Sequence, residues 1–478
     1  MNKLTAYLSR YHYRYPRTLV YMFQSSEYFI GEFVSWYLRV FDFREVEKRK
    51  KLKLTAKAKI LLFLSYGLYI LGVVVALLLL WPLSFVGFLQ FLIAIIILPY
   101  FTVATLLVLV AIFNFAIQKP ATYFIVNQAK KKLSEHSGIK IAVAGSFGKT
   151  TMREILKSVL SEEKKVAAPP GSYNTPLGIS QFIKSLEGDE EVLVFELGEY
   201  YPGDITELCE LIGPDIGVIT GINEAHLEKF KSLESTTSTI FELADYLGSK
   251  PLYLNGESKL AVEAAGNQHI VYTRVGTSDF KITSSTTGLN GTIFVAESSS
   301  ERIKLHSKLI GLHQIGPLVA AMDIADKLEI SLPAIQSGIS ETKPFEHRLE
   351  PYTDSNGVTI IDDSYNGNPT GVEAAINFLS NLRDRRRIYI TPGLVEMGER
   401  KEEVHKAIGK QLAKTGIEKV ILIKSSSTNF IAAGLASSDY SGEIVWQDSM
   451  PEALDLLTHD TISGDVVLIQ NDWPDQYV

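Results

Sequence analysis

The longest apolar run in the chain gives the first structural prediction. No charged residue occurs between Ile60 and Gln118, whereas about 20 apolar residues suffice for a helix to cross a bilayer. The run therefore predicts a transmembrane hairpin at 60–118, with helices at Ile60–Trp81 and Phe85–Phe113. A cleaved signal peptide fits poorly, because the run is too long and begins too far from the N-terminus.

After Lys119 the pattern changes to short β-branched runs that alternate with helical stretches, which indicates a mostly parallel, doubly wound sheet. Strands are predicted at Ile139–Ala144, Glu191–Leu197, Ile216–Thr220 and Pro251–Asn255. Between residues 280 and 305 the pattern predicts strands with no helices between them. We therefore expect a small antiparallel sheet there, which we call the annex. A second α/β unit is predicted from strands at Val358–Asp362, Ile388–Thr391, Val420–Lys424 and Val466–Ile469. We place the boundary between domains 119–345 and 346–478.

Basic residues flank the apolar run on both sides. They are Lys48, Arg49, Lys50, Lys51, Lys53, Lys57 and Lys59 before it, and Lys119, Lys130, Lys131 and Lys132 after it. Because such residues favour the cytoplasmic side, we expect a multi-pass protein of the cytoplasmic membrane with both termini and the α/β domains in the cytoplasm. The same cluster could also bind anionic membrane lipids.

Residues 1–59 mix aromatic side chains with arginines, as in the stretch Tyr11-His12-Tyr13-Arg14-Tyr15-Pro16-Arg17. Aromatic and basic side chains suit the headgroup layer of a membrane. We therefore expect an interfacial segment at 1–59, and a surface that grips substrate is the alternative.

Overall composition narrows the class of protein. Lys and Arg number 47 against 54 Asp and Glu, a formal net charge of −7, which gives no support to nucleic-acid binding. Cys209 is the only cysteine, so an internal disulfide and a cysteine-based zinc site are excluded, and a reducing compartment is favoured.

The sharpest chemical signal is the sequence Gly145-Ser146-Phe147-Gly148-Lys149-Thr150-Thr151 between a predicted strand and a predicted helix. Backbone N–H groups of such a loop, together with the helix N-terminus, bind polyphosphate. Lys149 would neutralise the β- and γ-phosphates and the Thr150 hydroxyl would bind Mg²⁺. The strict P-loop pattern has Gly where this chain has Val143.

Six ordered segments over residues 138–478 resemble the Mur ligases of cell-wall synthesis. They are AGSFGKTTMREIL (144–156), PGSYNTPLGIS (170–180), FELGEYYPGDI (195–205), GVITGINEAHLEKFKSLE (217–234), IDDSYNGNP (361–369) and TPGLVEMGER (391–400). The string IDDSYNGNP is similar to the string found in the branch of Mur ligases that joins D-alanyl-D-alanine to a UDP-muramoyl tripeptide. It argues against the branch that contains the folylpolyglutamate synthases.

The resemblance implies a P-loop central Mur ligase domain and a C-terminal Rossmann-like Mur ligase domain, preceded by the α-helical transmembrane hairpin. It also implies an ATP- and Mg²⁺-dependent ligase that forms an amide through an acyl phosphate. The expected partners are a UDP- or lipid-linked muramoyl peptide, an amino acid or dipeptide such as D-Ala-D-Ala, and membrane lipid.

The site residues that the resemblance implies fall into four groups. Catalysis is assigned to Lys149, Glu196, His226 and Arg348; nucleotide binding to Gly145, Ser146, Phe147, Gly148, Lys149, Thr150, Thr151, Gln314, Arg348 and Asp363; metal binding to Thr150, Glu196 and His226; and substrate binding to Asn174, Thr175, Ser364, Tyr365, Asn366 and Asn368.

Three departures from the family pattern leave alternatives open. The soluble N-terminal domain that binds the UDP-sugar is replaced here by residues 1–137, Ile240 stands where the family has a carbamoylated Lys that bridges a second Mg²⁺, and Pro317 replaces an Asn near the adenine site. The alternatives are an amide ligase for another polymer or wall peptide, and a membrane scaffold that binds nucleotide without turnover.

Overall fold

The computed structural model describes residues 7–46, 51–81, 84–171, 173–223, 232–266, 269–299, 301–365, 367–395 and 397–471. The described part of the chain divides into two compact units, one within residues 7–124 and the other within residues 125–471. Each unit has a hydrophobic core of its own, and each is described by itself below.

The first unit is entirely helical in its described part. Its helices are α1 (Tyr15–Ser25), α2 (Ile30–Arg39), α3 (Ala56–Leu80) and α4 (Phe85–Phe113). α3 and the continuous helical stretch Phe85–Ser134 are long and apolar enough to cross a membrane, judged by length and composition. The structure thus confirms two apolar helices close to the predicted bounds.

The aromatic residues of the N-terminal segment are divided between a core and the surface. Tyr15, Phe23, Phe33 and Phe43 are buried, and α1 packs against α3. Phe41, in contrast, is 83% exposed. The segment predicted to be interfacial therefore folds into helices that bury one set of rings and expose another.

The second unit begins within α5 (Lys119–Ser134) and contains two six-stranded sheets that are parallel except for one edge strand of the second. The strands of the first are β1 (Ile139–Ala144), β2 (Val166–Ala167), β3 (Val192–Glu196), β4 (Ile216–Ile219), β5 (Leu252–Asn255) and β6 (Ile270–Tyr272), in the order β2-β3-β1-β4-β5-β6. Its central strands are mostly apolar, because helices cover both faces of a parallel sheet.

Seven helices and a small antiparallel sheet complete the described part of this domain. The helices are α6 (Lys149–Leu160), α7 (Pro176–Ser185), α8 (Asp204–Ile212), α9 (Leu233–Leu247), α10 (Lys259–Ala264) and α11 (Ile315–Lys327), and α12 (Leu332–Glu341) follows. The predicted annex consists of β7 (Lys281–Gly288), β8 (Gly291–Glu297) and β9 (Arg302–Ser307). α6 runs along β1 and β3, which places its N-terminus at their carboxyl ends.

The C-terminal domain has a second sheet of six strands. They are β10 (Glu350–Thr353), β11 (Thr359–Asp363), β12 (Arg387–Thr391), β13 (Lys419–Ile423), β14 (Glu443–Gln447) and β15 (Val466–Gln470), in the order β10-β11-β15-β12-β13-β14. Its helices are α13 (Pro369–Ser380), α14 (Lys401–Thr415), α15 (Thr428–Ala436) and α16 (Met450–Asp460). Every predicted strand of both sheets is present, with ends that differ by at most one residue.

Candidate nucleotide and metal site

The loop between β1 and α6 has the backbone conformation that its glycines allow. Gly145 has φ +138° and Gly148 has φ +74°, and a Cβ on Gly145 would lie 2.3 Å from Thr220 Oγ1. Residues with a side chain rarely adopt such angles. The Ser146 N–H donates to Gly221 O at 2.9 Å, which fixes the loop against the end of β4.

This loop fits a polyphosphate. Ser146 Oγ is buried, and within the described residues it has no hydrogen-bond partner. An unsatisfied buried hydroxyl is costly, and a phosphate oxygen beside the α6 N-terminus would satisfy it while gaining from the helix dipole.

The side chain of Lys149, the first residue of α6, folds back over the loop. Its Nζ donates to Gly145 O at 2.5 Å and to both carboxylate oxygens of Glu199 at 2.8 Å. The side chain of Glu199 is only 2% exposed and that of Lys149 13%. The ammonium group therefore lies at the phosphate site with a buried acidic partner.

The residue next to it, Thr150, contacts the end of β3. Thr150 Oγ1 donates to Glu196 Oε2 at 2.8 Å, and Asn174 Nδ2 donates to Glu196 Oε1 at 3.2 Å. Hydroxyl and carboxylate oxygens are the donors that Mg²⁺ prefers. The pair thus fits a Mg²⁺ ion beside the phosphates, and the metal-binding role of these two residues stays a prediction.

A buried arginine stands behind this carboxylate. Arg153, on α6 and 1% exposed, donates from one Nη to Gly171 O at 2.6 Å and to Glu196 Oε2 at 3.4 Å, while the other Nη donates to Glu154 Oε1 at 2.7 Å. It connects the P-loop helix, the 170–175 loop and the candidate metal ligand.

Two of the predicted site residues, His226 and Asn366, lie outside the described residues. Within the part of the chain that the structure describes, no cluster of three or more His, Cys, Asp or Glu side chains is suited to hold a metal. The predicted roles of His226 in metal binding and catalysis therefore stay predictions.

The position of the family's bridging Lys is part of the hydrophobic core here. Ile240 is fully buried beside Leu243 and Ile219. Glu242, two residues later, accepts hydrogen bonds from Gly203 N at 2.7 Å and Thr206 N at 2.8 Å at the start of α8. Neither side chain supplies a second metal site.

A cleft of about 540 Å³ leads from the P-loop to the C-terminal domain. Its lining includes Phe147, Thr151, His313, Gln314, Arg348 and Asp363. Residues from both α/β domains thus enclose a space of the size that small-molecule ligands occupy.

The imidazole of His313, at the predicted adenine end of the cleft, is neutral at pH 7. Burial lowers the pKa of His313 to about 4, and its Nε2 lies 3.0 Å from the side-chain nitrogen of Gln314. Gln314 therefore lines the cleft with a neutral imidazole beside it, and Pro317 lines the same space without a hydrogen-bonding side chain.

The C-terminal domain contributes an arginine and a buried carboxyl group. The Arg348 guanidinium lies 5.0 Å from the centre of the Tyr365 ring. Asp363 ends β11 and accepts from Leu349 N at 3.2 Å and Gln470 Nε2 at 2.8 Å. Burial raises the pKa of Asp363 to about 6.

Several of the predicted substrate residues also have structural roles. Asn368 Oδ1 accepts from Gly371 N at 3.0 Å and from Asn223 Nδ2 at 2.8 Å, so it caps α13 and joins the two domains. Thr175 Oγ1 caps α7 by accepting from Gly178 N at 3.3 Å. Ser364 N donates to Asp362 Oδ1 at 3.0 Å, which shapes the turn after β11.

Sequence reasoning missed Arg153 and Glu199, although both lie within the quoted segments. A buried Arg one turn into a P-loop helix, and a second acidic residue three positions after Glu196, were the available signals. The pairing of each with its partner becomes visible only when α6 and β3 lie side by side.

Together these features define the class of enzyme to which the protein belongs. A P-loop at the carboxyl ends of parallel strands, a Thr–Glu pair for a divalent cation and a second α/β domain facing the cleft describe an enzyme that binds a nucleoside triphosphate with Mg²⁺.

Comparison with known proteins narrows this class. The Mur ligase middle domain matches residues 143–325 and the Mur ligase glutamate ligase domain matches residues 347–470. The UDP-N-acetylmuramoyl-tripeptide–D-alanyl-D-alanine ligase of Bacillus subtilis is 25% identical over 72% of this chain and 75% of its own length. The ligase of the same name from Borreliella burgdorferi is 30% identical over 59% of this chain and 62% of its own.

Solved structures agree on the fold. The MurF ligase of Thermotoga maritima in complex with ADP has a TM-score of 0.65 at 24% identity, covering 73% of this chain and 80% of that one. MurF of Acinetobacter baumannii has a TM-score of 0.65 at 22% identity, covering 73% and 77%.

The chain belongs to the Mur ligase family and carries its middle and C-terminal domains. It is therefore an ATP-dependent, Mg²⁺-using amide ligase by class, and the predicted family, activity class and cofactors are confirmed.

Proposed function

We propose that this enzyme joins the amine of D-Ala-D-Ala, or of a similar amino acid or dipeptide, to the terminal carboxylate of a muramoyl peptide. The curated relatives named above are D-alanyl-D-alanine ligases, which supports this substrate pair. The observation that carries the proposal is the convergence of Lys149, Thr150 and Glu196 beside the P-loop, whose residues Phe147 and Gly148 line the interdomain cleft.

The proposed reaction has two steps, the transfer of a phosphoryl group and then the transfer of an acyl group. In the first, the substrate carboxylate oxygen bonds to the γ-phosphorus of ATP, the bond to the bridging oxygen breaks, and ADP leaves. In the second, the amine nitrogen bonds to the carbonyl carbon, the bond to the phosphate oxygen breaks, phosphate leaves, and the nitrogen loses a proton. Mg²⁺ supplies charge neutralisation for the phosphates when bound.

The chain's own residues position the reactants. Lys149 would stabilise the charge on the transferred phosphoryl group, and Glu196 with Thr150 would hold the cation, together with His226. Arg348 faces the cleft from the C-terminal domain, where it would contact the phosphates, and Asp363 would contact the ribose. Closure of the cleft excludes water, which protects an acyl phosphate from hydrolysis.

We propose that the substrates bind at two loops beside the nucleotide site, one that carries Asn174 and one that carries Tyr365. Asn174 lies directly beside Glu196, and Tyr365 lies beside Arg348. Thr175, Ser364, Asn366 and Asn368 belong to the same two loops, where helix caps hold the backbone in place.

We further propose that the enzyme works at the cytoplasmic face of the membrane. α3 and α4 would form the transmembrane hairpin, and the flanking lysines would keep both ends in the cytoplasm. Exposed apolar side chains support this proposal: Phe63 is 80% exposed, Trp81 80% and Phe85 82%. The carboxylate substrate would then be lipid-linked, or a UDP-linked peptide bound without the family's usual N-terminal domain.

The test is ATP turnover by the full chain in detergent. We expect phosphate release only when a muramoyl tripeptide and D-Ala-D-Ala are both present, with mass spectrometry identifying the amide product. Lys149→Met should abolish turnover, whereas Lys410→Met, which removes an exposed lysine from α14, should leave it unchanged.

The two alternatives predict other outcomes. Turnover with a different acceptor across a panel of wall peptides and glutamyl polymers would favour an amide ligase for another polymer. Nucleotide binding with no turnover across the same panel would favour a membrane scaffold, and Ile240 at the position of the family's bridging Lys is the observation behind that alternative.

A further inference from the structure

The N-terminal segment of the helical unit contacts the middle of the second apolar helix. Tyr11 Oη donates to Ile96 O at 3.4 Å, and Tyr100 Oη donates to Tyr7 Oη at 3.4 Å. α4 has 29 residues, which makes it about 44 Å long at ~1.5 Å per residue. Ile96 and Tyr100 lie about 17 and 23 Å from its first residue, Phe85. Both contacts are therefore near the midpoint of the helix.

An arginine of the same segment lies at this level. Arg10 is the neighbour of Tyr11 in sequence, and its guanidinium carbon lies 5.3 Å from the centre of the Tyr7 ring and 5.0 Å from that of Phe43. Arg10 Nε is buried and has no hydrogen-bond partner within the described residues. Among the described carboxylates, none forms an ion pair with Arg10. The two rings are thus the neighbours that offset its charge.

A cation at this depth needs an anionic partner if the hairpin spans a membrane. A charged group near the middle of a bilayer is unfavourable unless it is paired or hydrated, and such residues therefore mark functional sites. The guanidinium group has five N–H donors in a planar fork, which matches the oxygens of a phosphate. The hydroxyl groups of Tyr7 and Tyr100 add polar atoms beside it.

The surface of α4 next to this polar cluster suits a lipid chain. Ile93, Ile97 and Phe101 are about half exposed, and their spacing of four residues places them on one face of the helix. An apolar chain along this face would hold a phosphate group at the level of Arg10. A free phosphate ion would have to leave water to reach the same level, which is costly for a charge.

We propose that Arg10, with Tyr7 and Tyr100, forms a binding site for the phosphate group of a membrane lipid whose apolar chain lies along α4. This site rests on the transmembrane hairpin of the proposed function, and it is independent of the nucleotide site and of the amine substrate. It gives the helical unit a role in binding lipid phosphate in addition to anchoring the enzyme.

The test compares two ligands that differ only in the phosphate group. We would measure the Kd of farnesyl phosphate and of farnesol by native mass spectrometry, on the full chain in dodecyl maltoside, a detergent without phosphate. Since a hydrogen bond to a charged group changes affinity by about tenfold, farnesyl phosphate should bind at least about tenfold more tightly. Arg10→Met should remove this preference and leave the Kd of farnesol unchanged.

The matched control is Arg39→Met, which removes an exposed arginine from the end of α2 and should leave both constants unchanged. Arg10→Lys keeps the charge without the planar fork and should retain part of the preference. Tyr100→Phe removes one hydroxyl group from the site and should weaken farnesyl phosphate binding severalfold, which also serves if Arg10→Met does not fold. Inorganic phosphate at millimolar concentration should not displace farnesyl phosphate.

Equal affinity of the unmodified chain for the two ligands would overturn the proposed lipid site. So would a preference that persists in both Arg10→Met and Tyr100→Phe, or displacement of farnesyl phosphate by inorganic phosphate, which would indicate a site open to water. Release of the full chain from membranes by a carbonate wash would overturn both this site and the transmembrane hairpin. A chain that stays in the membrane but shows no preference for the phosphate would contradict the lipid site alone.

Discussion

At the scale of single residues, the least expected member of the site is Arg153. Its guanidinium is 1% exposed and contacts both Glu196 and the backbone of the 170–175 loop. Groups that orient a metal ligand commonly change metal affinity by about 10- to 100-fold when they are removed. Arg153→Met should therefore raise the Mg²⁺ concentration needed for half-maximal ATP binding by roughly tenfold.

A titration of nucleotide binding against Mg²⁺ measures this effect, with circular dichroism to show that the variant is folded. Arg153→Lys keeps the charge and should recover part of the loss. Arg383→Met removes an exposed arginine and should have no effect. An unchanged Mg²⁺ dependence in folded Arg153→Met would show that Glu196 does not need this partner.

The buried carboxyl group of Asp363 gives a pH-dependent prediction. Its pKa is raised to about 6 by burial, from an ordinary value of 3.8. The folded state therefore prefers the protonated form, and the stability from this preference is present below pH 4 and lost as pH rises through 6. The shift of about 2 pKa units corresponds to roughly 3 kcal/mol.

Asp363→Asn cannot titrate, so its free energy of unfolding should improve relative to the unmodified chain by up to roughly 3 kcal/mol between pH 4 and pH 7.5. Thermal unfolding of both proteins across that range measures the difference. A difference that stays constant with pH would mean that Asp363 is ionised and well solvated in the folded state.

The P-loop residues could be predicted from sequence because their signal is local. A strand, a glycine loop and a helix within residues 139–160 define the site, and Gly145, Gly148 and Lys149 lie between strand and helix as expected. The contacts of Arg153 and Glu199 could not be predicted, since each joins segments 43 to 50 residues apart.

The sequence also indicates that Thr175 and Asn368 cap helices, although the family resemblance assigned both residues to substrate binding. Thr175 precedes Pro176 and Asn368 precedes Pro369, and Thr or Asn before Pro is typical of a helix N-terminus. Both residues do cap helices. A role in substrate binding is still a prediction for them.

At the scale of elements, the start of α8 depends on a neighbouring helix. Its own N-cap is Gly203, which has no side chain to act as an acceptor, and Glu242 of α9 accepts from Gly203 N and Thr206 N instead. Glu242→Ala would leave these donors without that acceptor. We expect a loss of about 1–2 kcal/mol in the free energy of unfolding.

Chemical denaturation of the full chain in detergent measures this loss. Asp245→Ala, an exposed substitution on the same helix, should leave stability unchanged. Because α8 follows the loop that carries Glu199, the Glu242 variant should also weaken nucleotide binding. A stable Glu242→Ala protein would show that water replaces the carboxylate at this helix end.

The elements of the α/β domains were predictable because buried parallel strands appear in the sequence as short β-branched runs. The first 46 residues were not predictable in the same way. Their aromatic side chains suit a membrane interface and a helical core equally well, and the burial of Tyr15, Phe23 and Phe33 depends on packing within the helical unit.

At the scale of the whole molecule, the two units have separate cores. The core of the helical unit includes residues 15–110, and the cores of the α/β domains begin at Ala129. Within the described residues, all strand pairs lie between residues 139 and 470. The described strands and the residues of the candidate nucleotide site therefore all belong to the α/β part.

This separation predicts that a chain of residues 119–478 is soluble without detergent and binds nucleotide with unchanged affinity. The full chain, in contrast, should stay in the membrane fraction through high-salt and carbonate washes, because large exposed apolar surfaces are not stable in water. Release of the full chain by salt alone would contradict membrane insertion, and a shortened chain that still sediments with membranes would place the attachment elsewhere.

The same pair of proteins can distinguish the two possible carboxylate substrates. If the donor is lipid-linked, truncation should raise the KM for a lipid-linked muramoyl peptide while leaving the KM for a UDP-linked one unchanged, since only the first substrate is concentrated at the membrane. Fusion of residues 119–478 to an unrelated membrane anchor should then restore the low KM. If the anchor fails to restore it, the helical unit must contact the substrate itself, because membrane attachment alone would not explain its contribution.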